Sequence, residues 1–279
     1  MYDTYFVTPE WLHDHLSDDD LIVLDVSTPL PTVPCDYRQK WLEEHIPTAQ
    51  FFHQDEIANT DIPLPHMLPS TEVFSQSVGD MGIGNDTKVV IYAKNNLFSS
   101  PRAWWTFTTM GHKNIKILAG GIDAWKSAGF KTESGPVTPP AAKTFIAKCH
   151  TENVLNCEQM LEFVHEGKMQ IIDARSAARF LAQAPEPRPG LRMGHIPGSK
   201  NMPWDLLVEN GQFKSPKQLE AIFAEQGIDI DAPSVTTCGS GMTAAVIYMA
   251  LTLLGNHQVK LYDGSWAEWG QDNGLPIEA

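Results

Sequence analysis

Cys238-Gly239-Ser240-Gly241-Met242-Thr243 separates two segments of different periodicity. Before it, Ser234-Val235-Thr236-Thr237 is short and β-prone. After it, Val246, Ile247, Met249, Ala250, Leu253 and Leu254 recur at helical spacing, and Gly255 is a natural stop. A cysteine therefore sits where a strand ends and a helix begins, with glycines in the turn. Glycines let consecutive backbone N–H groups converge on one point, and Gly239 is expected to take a positive φ. The helix N-terminus adds partial positive charge. Both favour an anion beside Cys238 and its thiolate, the nucleophilic form. A buried, inert cysteine is the competing reading, and the glycine pattern weighs against it.

The chain around this loop has 279 residues, which points to two domains. Hydrophobic residues make up 42% and charged residues 19%, the balance of a globular protein with a real core. The net charge of −14 argues against nucleic acid and against anionic membranes, because no basic excess exists to neutralise phosphates. Met1-Tyr2-Asp3-Thr4-Tyr5-Phe6 lacks the basic and apolar regions of a signal peptide, and no apolar run is long enough to span a bilayer. Cys35, Cys149, Cys157 and Cys238 form neither a disulfide framework nor a zinc-type pair. A reducing cytoplasm fits that usage.

One unit is written twice. Leu21-Ile22-Val23-Leu24-Asp25 is repeated as Gln170-Ile171-Ile172-Asp173, and His45-Ile46-Pro47 as His195-Ile196-Pro197. Val89-Val90-Ile91-Tyr92 parallels Val235-Thr236-Thr237, and Gly120 and Trp125 recur as Gly264 and Trp269. Short apolar strands alternating with amphipathic segments imply an α/β fold, each half a mainly parallel sheet flanked by helices. The Pro-rich stretch from Glu133 to Ala141 reads as a semi-rigid connection. The expected division is a first domain over 1–135, a linker over 136–150 and a second domain over 151–279. Where the second half has Cys238 the first aligns Ala93, so the first domain lacks the nucleophile. In open α/β sheets chemistry gathers at the carboxyl ends of strands, where Cys238 falls.

Taken in order, His-Ile-Pro in each half, Pro65-His66-Met67-Leu68-Pro69, Pro101-Arg102-Ala103-Trp104-Trp105, Glu186-Pro187-Arg188, the Cys238 loop and Tyr262-Asp263-Gly264-Ser265-Trp266 form a signature. The chain resembles the two-domain rhodanese-type sulfurtransferases, and among them the 3-mercaptopyruvate sulfurtransferases. The resemblance runs from Trp11 to Pro276 and implies tandem rhodanese-like domains. It also implies transfer of sulfur from 3-mercaptopyruvate through a Cys238 persulfide, with release of pyruvate. The acceptor would be cyanide or a thiol, such as thioredoxin or a small thiol. No metal or organic cofactor is required, and a monomer is expected. The mercaptopyruvate branch carries Cys-Gly-Ser-Gly-x-Thr here, whereas the thiosulfate branch tends to carry Cys-Arg-Lys-Gly-x-Thr. Thiosulfate is a compact dianion that needs cations beside the cysteine. 3-Mercaptopyruvate carries its carboxylate several bonds from the sulfur.

Residue by residue, the resemblance makes Cys238 the nucleophile and assigns substrate binding to Arg179, Arg188, Gly239, Gly241, Met242 and Thr243. A guanidinium fork matches a carboxylate. It also implies a Ser240-His66-Asp55 proton relay. The family usually has an acid where His53 stands, so the proton inventory around Asp55 differs in this chain. His45 and His195 recur in both halves, including the one without a nucleophile, and read as structural. His13 and His15 do not share a helical face and are not a metal pair. Trp104, Trp105, Trp125, Trp266 and Trp269 read mostly as core, with the place of Trp266 after the Asp-Gly-Ser turn also compatible with lining the site. A cysteine phosphatase is excluded because Ala244 stands where its loop arginine belongs. A thiosulfate sulfurtransferase shares the chemistry and differs in loop charge. A non-catalytic binding module would suit the first half alone.

Overall fold

The structure is a computed structural model describing residues 2–30 and 33–279. It forms two compact units: Met1–Asn59, Leu68–His150 and Asn210–Gln212 in one, Thr60–Met67, Thr151–Glu209 and Phe213–Ala279 in the other.

In the first unit, β1 (Phe6–Val7), β2 (Leu21–Asp25), β3 (Gln50–Phe51), β4 (Lys88–Tyr92) and β5 (Ile115–Leu118) form one sheet in the order β1-β5-β4-β2-β3. Every pairing is parallel. All of β2 is buried, as a central strand covered on both faces must be. Val23 and Val90 pack with Leu12, Ile122 and Trp125 in the core.

The second half of the chain repeats this plan with β6 (Val154–Leu155), β7 (Gln170–Asp173), β8 (Lys200–Asn201), a hairpin of β9 (Val208–Glu209) and β10 (Gln212–Phe213), then β11 (Ser234–Thr237) and β12 (Val259–Tyr262). Its sheet order, β6-β12-β11-β7-β8, is the first sheet's order with each strand replaced by its repeat, again all parallel. The duplication read from sequence is thus a duplication of topology. The helix Ala244–Leu253 buries every residue but Tyr248. Being apolar all round, it is a core helix rather than an amphipathic surface one. Its N-terminus follows directly on the cysteine loop.

The stretch read as a linker lies on the first unit. Lys143 N–H donates to Gly79 O, Lys148 to Met110 O and His150 to Thr109 O, and Phe145 is buried against Phe74. These bonds satisfy backbone groups that a free connection would leave to water. Residues 60–67, which carry His66, group with the second unit, although they lie inside the first stretch of sequence.

The repeated His-Ile-Pro has one structural job in both halves. His45 exchanges backbone hydrogen bonds with Glu133, and His195 with Glu278, so each ties down the end of its own repeat. The His195 ring donates through Nδ1 to Phe180 O at 2.8 Å and stacks on the Phe180 ring. No helix among the described residues is long and apolar enough to cross a membrane.

Candidate active site

Cys238 follows the last residue of β11, which lies between β7 and β12, so the loop opens at the carboxyl edge of the sheet. The cysteine is 2% exposed. Its Sγ accepts the Ser240 N–H at 3.5 Å. The other loop amides do not all converge on sulfur. Those of Cys238 and Gly241 donate to Ser265 Oγ at 3.2 and 3.0 Å, and that hydroxyl donates to Tyr262 O at 2.9 Å. Ser265 thereby clamps the loop to the end of β12. It does so at φ +50°, a left-handed conformation costly for a residue with a Cβ. The turn expected at Gly239 is made by Gly241 instead, at φ +74°. At Gly239 a Cβ would stand 2.9 Å from Arg179 Nη2. Met242 and Thr243 are buried where the loop enters the helix.

Arg179 lies in the short helix Ala177–Phe180 after β7. Its Nε and Nη2 donate to the two oxygens of Glu186, a side chain only 2% exposed. Glu186 Oε1 also accepts from Arg175 Nη1 at 2.8 Å. The Arg175 side chain is fully buried and bidentate on Asp173, with its guanidinium 4.2 Å from the Trp266 ring centroid. Trp266 is therefore core, 1% exposed and supporting Arg175, rather than a wall of the site. It is placed there because its indole N–H donates to Arg192 O and its amide to Cys238 O.

Arg188 Nη2 lies 3.5 Å from His66 Nε2. A guanidinium can only donate, so Nε2 accepts and the ring proton sits on Nδ1. His66 has φ +60°, a local strain in the segment 60–67. Asp55 is exposed in the helix Gln54–Ile57 of the first unit, and His53 N-caps that helix without a side-chain bond.

Residues 8–128 and 156–272 each match the family model described as rhodanese-like domain. The chain belongs to the rhodanese-like family. It is 42% identical over its whole length to the 3-mercaptopyruvate sulfurtransferase of Escherichia coli, 99% of which is covered. It is 36% identical over 98% of its length to a mitochondrial thiosulfate/3-mercaptopyruvate sulfurtransferase of Arabidopsis thaliana, 78% of which is covered. Among solved structures, the 3-mercaptopyruvate sulfotransferase SseA from Escherichia coli superposes with a TM-score of 0.87 at 40% identity, covering 95% of this chain and all of that one. The chain is thus an enzyme of the two-domain sulfurtransferase type, as the loop and the duplicated motifs imply.

Within this rhodanese-like pair, the first domain has an alanine at the position that Cys238 takes in the second. Ala93 follows β4 as Cys238 follows β11. Asp25 repeats Asp173, but Ser27 stands where Arg175 stands, and burial pushes the Asp25 carboxyl above its ordinary value. Lys94, in the place of Gly239, is held by the carbonyls of Lys40 and Glu44, and burial lowers its ammonium. In the second domain burial raises the Cys157 thiol, which suits an unreactive cysteine.

Three residues of the site were not singled out from sequence: Ser265, Glu186 and Arg175. Glu186 and Ser265 stand inside motifs quoted above, one beside Arg188 and one beside Trp266. Arg175 carries a sequence signal as well, a basic residue two positions after the Asp that ends a strand.

Proposed function

We propose that this chain transfers sulfur from 3-mercaptopyruvate to a thiol or cyanide through a persulfide on Cys238. The observation that carries the reading is the cysteine at the carboxyl edge of the second sheet, in an uncharged loop whose Ser240 N–H faces Sγ. The cations of this reading, by contrast, stand outside the loop: Arg179 beside Gly239, and Arg188 beside His66.

The Cys238 thiolate attacks the substrate sulfur and a new S–S bond forms. The C–S bond breaks with its electron pair going to carbon, giving the enolate of pyruvate. A proton then converts the enolate to pyruvate, leaving Cys238 as Cys–S–SH. In the second step an acceptor thiolate or cyanide attacks the outer sulfur, and the Cys238 thiolate leaves. Arg179 and Arg188 bind the substrate carboxylate and carbonyl and stabilise the enolate. Gly239, Gly241, Met242 and Thr243 complete the loop that holds the persulfide. Ser240, His66 and Asp55 form the proton relay of this reading. His66 Nε2 stands 3.5 Å from Arg188 Nη2, which sets the imidazole of the relay beside a substrate-binding guanidinium of this reading.

The test is intact mass after incubation with 3-mercaptopyruvate, where one added sulfur of about 32 Da is expected on Cys238. Cys238→Ser should take up none and should form no thiocyanate with cyanide. Near-wild-type activity in Cys238→Ser would end the proposal. Thiosulfate is the second donor to assay, because a relative carries both donors in its name. The absence of charge at Gly239 and Ser240 favours 3-mercaptopyruvate. A helix dipole contributes about 0.3–1 kcal/mol to a bound anion, less than a charge-assisted hydrogen bond at about 1.5–3 kcal/mol.

A further inference from the structure

We propose that Glu186 is a positioning residue for Arg179, holding its guanidinium across the cysteine loop in the space that Gly239 leaves open. The inference rests on the sulfur-transfer reading for the identity of the donor. The coupling itself is a property of the resting structure.

A chain of buried ions leads from the sheet to the loop. It begins at Asp173, the last residue of β7, 1% exposed. Asp173 holds Arg175 through Nε at 3.0–3.1 Å and through Nη2 at 2.6 Å. Arg175 is further fixed by Gly194 O at 2.8 Å and by the Trp266 ring beneath it. Arg175 Nη1 holds Glu186 Oε1, and Glu186 holds Arg179 by both carboxylate oxygens. Arg179 is the only member with appreciable exposure, 23% against 2% or less for the others. The chain thus ends in a guanidinium that faces solvent and the loop at once.

At that end a Cβ on residue 239 would approach Arg179 Nη2 to 2.9 Å. The tip of an arginine normally swings away from such a contact at little cost. Here two hydrogen bonds to a buried carboxylate resist the swing, and Glu186 cannot follow because Arg175 holds it. Residue 239 and the pose of Arg179 are therefore one choice. A glycine keeps the guanidinium beside the nucleophile, supplied from outside the loop. A larger residue displaces it, and any cation must then come from the loop itself. Glu186 has a second effect. It offsets the Arg179 charge in the resting state, so the site holds an oriented donor fork without a concentrated positive field.

The experiment is a double-mutant cycle with Gly239→Ala, Glu186→Gln and Arg179→Ala, alone and in pairs with Arg179→Ala. Two readouts run in parallel: kcat and KM with 3-mercaptopyruvate, and the alkylation rate of Cys238 by iodoacetate relative to iodoacetamide. Gly239→Ala and Glu186→Gln should each lower kcat/KM by about tenfold or more, mostly through KM, the signature of lost substrate binding. In the Arg179→Ala background each should have less than a twofold further effect, because the group they act through is gone. The iodoacetate preference should fall in Gly239→Ala and be unaffected by that change once Arg179 is alanine. Iodoacetamide rates near wild type show an intact loop. Multiplying effects in both backgrounds would overturn the proposal. If wild type takes no sulfur from 3-mercaptopyruvate, the donor assignment fails, and the alkylation cycle still decides the coupling. If Gly239→Ala does not fold, the Glu186→Gln arm decides it.

Discussion

Removing one hydroxyl, that of Ser265, should loosen the nucleophile's loop more than any change to the loop's own side chains. Ser265 Oγ accepts from two buried amides, Cys238 and Gly241, and donates to Tyr262 O. The residue is fully buried. Leaving a buried donor without its partner costs about 1–3 kcal/mol. Ser265→Ala weakens the hold on two such donors, so a loss of about 2–4 kcal/mol is expected, with some recovered by local shifts. The backbone at φ +50° adds a second handle. Alanine pays the left-handed cost that serine pays, roughly 1–2 kcal/mol, and glycine does not. Ser265→Gly should therefore be less damaging than Ser265→Ala by about 1 kcal/mol, the reverse of the usual order in a helix. With about 3 °C per kcal/mol for a domain of this size, calorimetry should show the alanine variant melting roughly 6–12 °C lower. Thiocyanate formation should fall by about tenfold or more, since 1.36 kcal/mol is one decade and the loop amides set the sulfur's surroundings. A melting point within about 1 °C of wild type, or a glycine variant no better than alanine, would refute the clamp.

Arg188→Ala should cost about 1.5–3 kcal/mol in kcat/KM with 3-mercaptopyruvate, and Arg188→Lys should recover only part of it, because an ammonium lacks the planar fork; steady-state kinetics of both variants decide. Asp173→Asn leaves Arg175 buried with half its neutralising partners, so urea denaturation should show a loss of about 3–5 kcal/mol, and a loss below about 1 kcal/mol would show the pair to be dispensable. His112 is 1% exposed, and burial pushes its imidazole below the ordinary value. The unfolded chain then binds a proton that the folded chain resists. Stability is full above the unfolded value of about 6.5 and is lost as pH falls below it toward the folded value. The melting temperature of wild type should accordingly drop more steeply between about pH 6.5 and 5 than that of His112→Phe, and parallel curves would remove His112 from the account.

Much of this protein is legible without coordinates, for a physical reason. Strand, loop and helix around Cys238 are local in sequence, and so is the apolar pattern that sets them. Both copies of the unit repeat it, and the same strand order follows in both sheets. The loop cysteine, the alanine that replaces it at Ala93 and the structural role of His45 and His195 come from comparing the two copies. Tertiary structure alone decided what lies across the loop. Ser265 reaches the loop from beyond β12, and nothing local marks its hydroxyl as an acceptor for two distant amides. Gly239 looks like a turn glycine, and only the fold shows Arg179, from the short helix after β7, lying against it. Arg175 and Glu186 look like ordinary surface charges in an acidic chain, and only burial beside Asp173 and Trp266 makes them a rigid support. A sequence fixes which groups a chain owns and how its local segments bend. Which charges are desolvated, and which guanidinium occupies the space a Cβ would take, depends on long-range packing that no local period encodes.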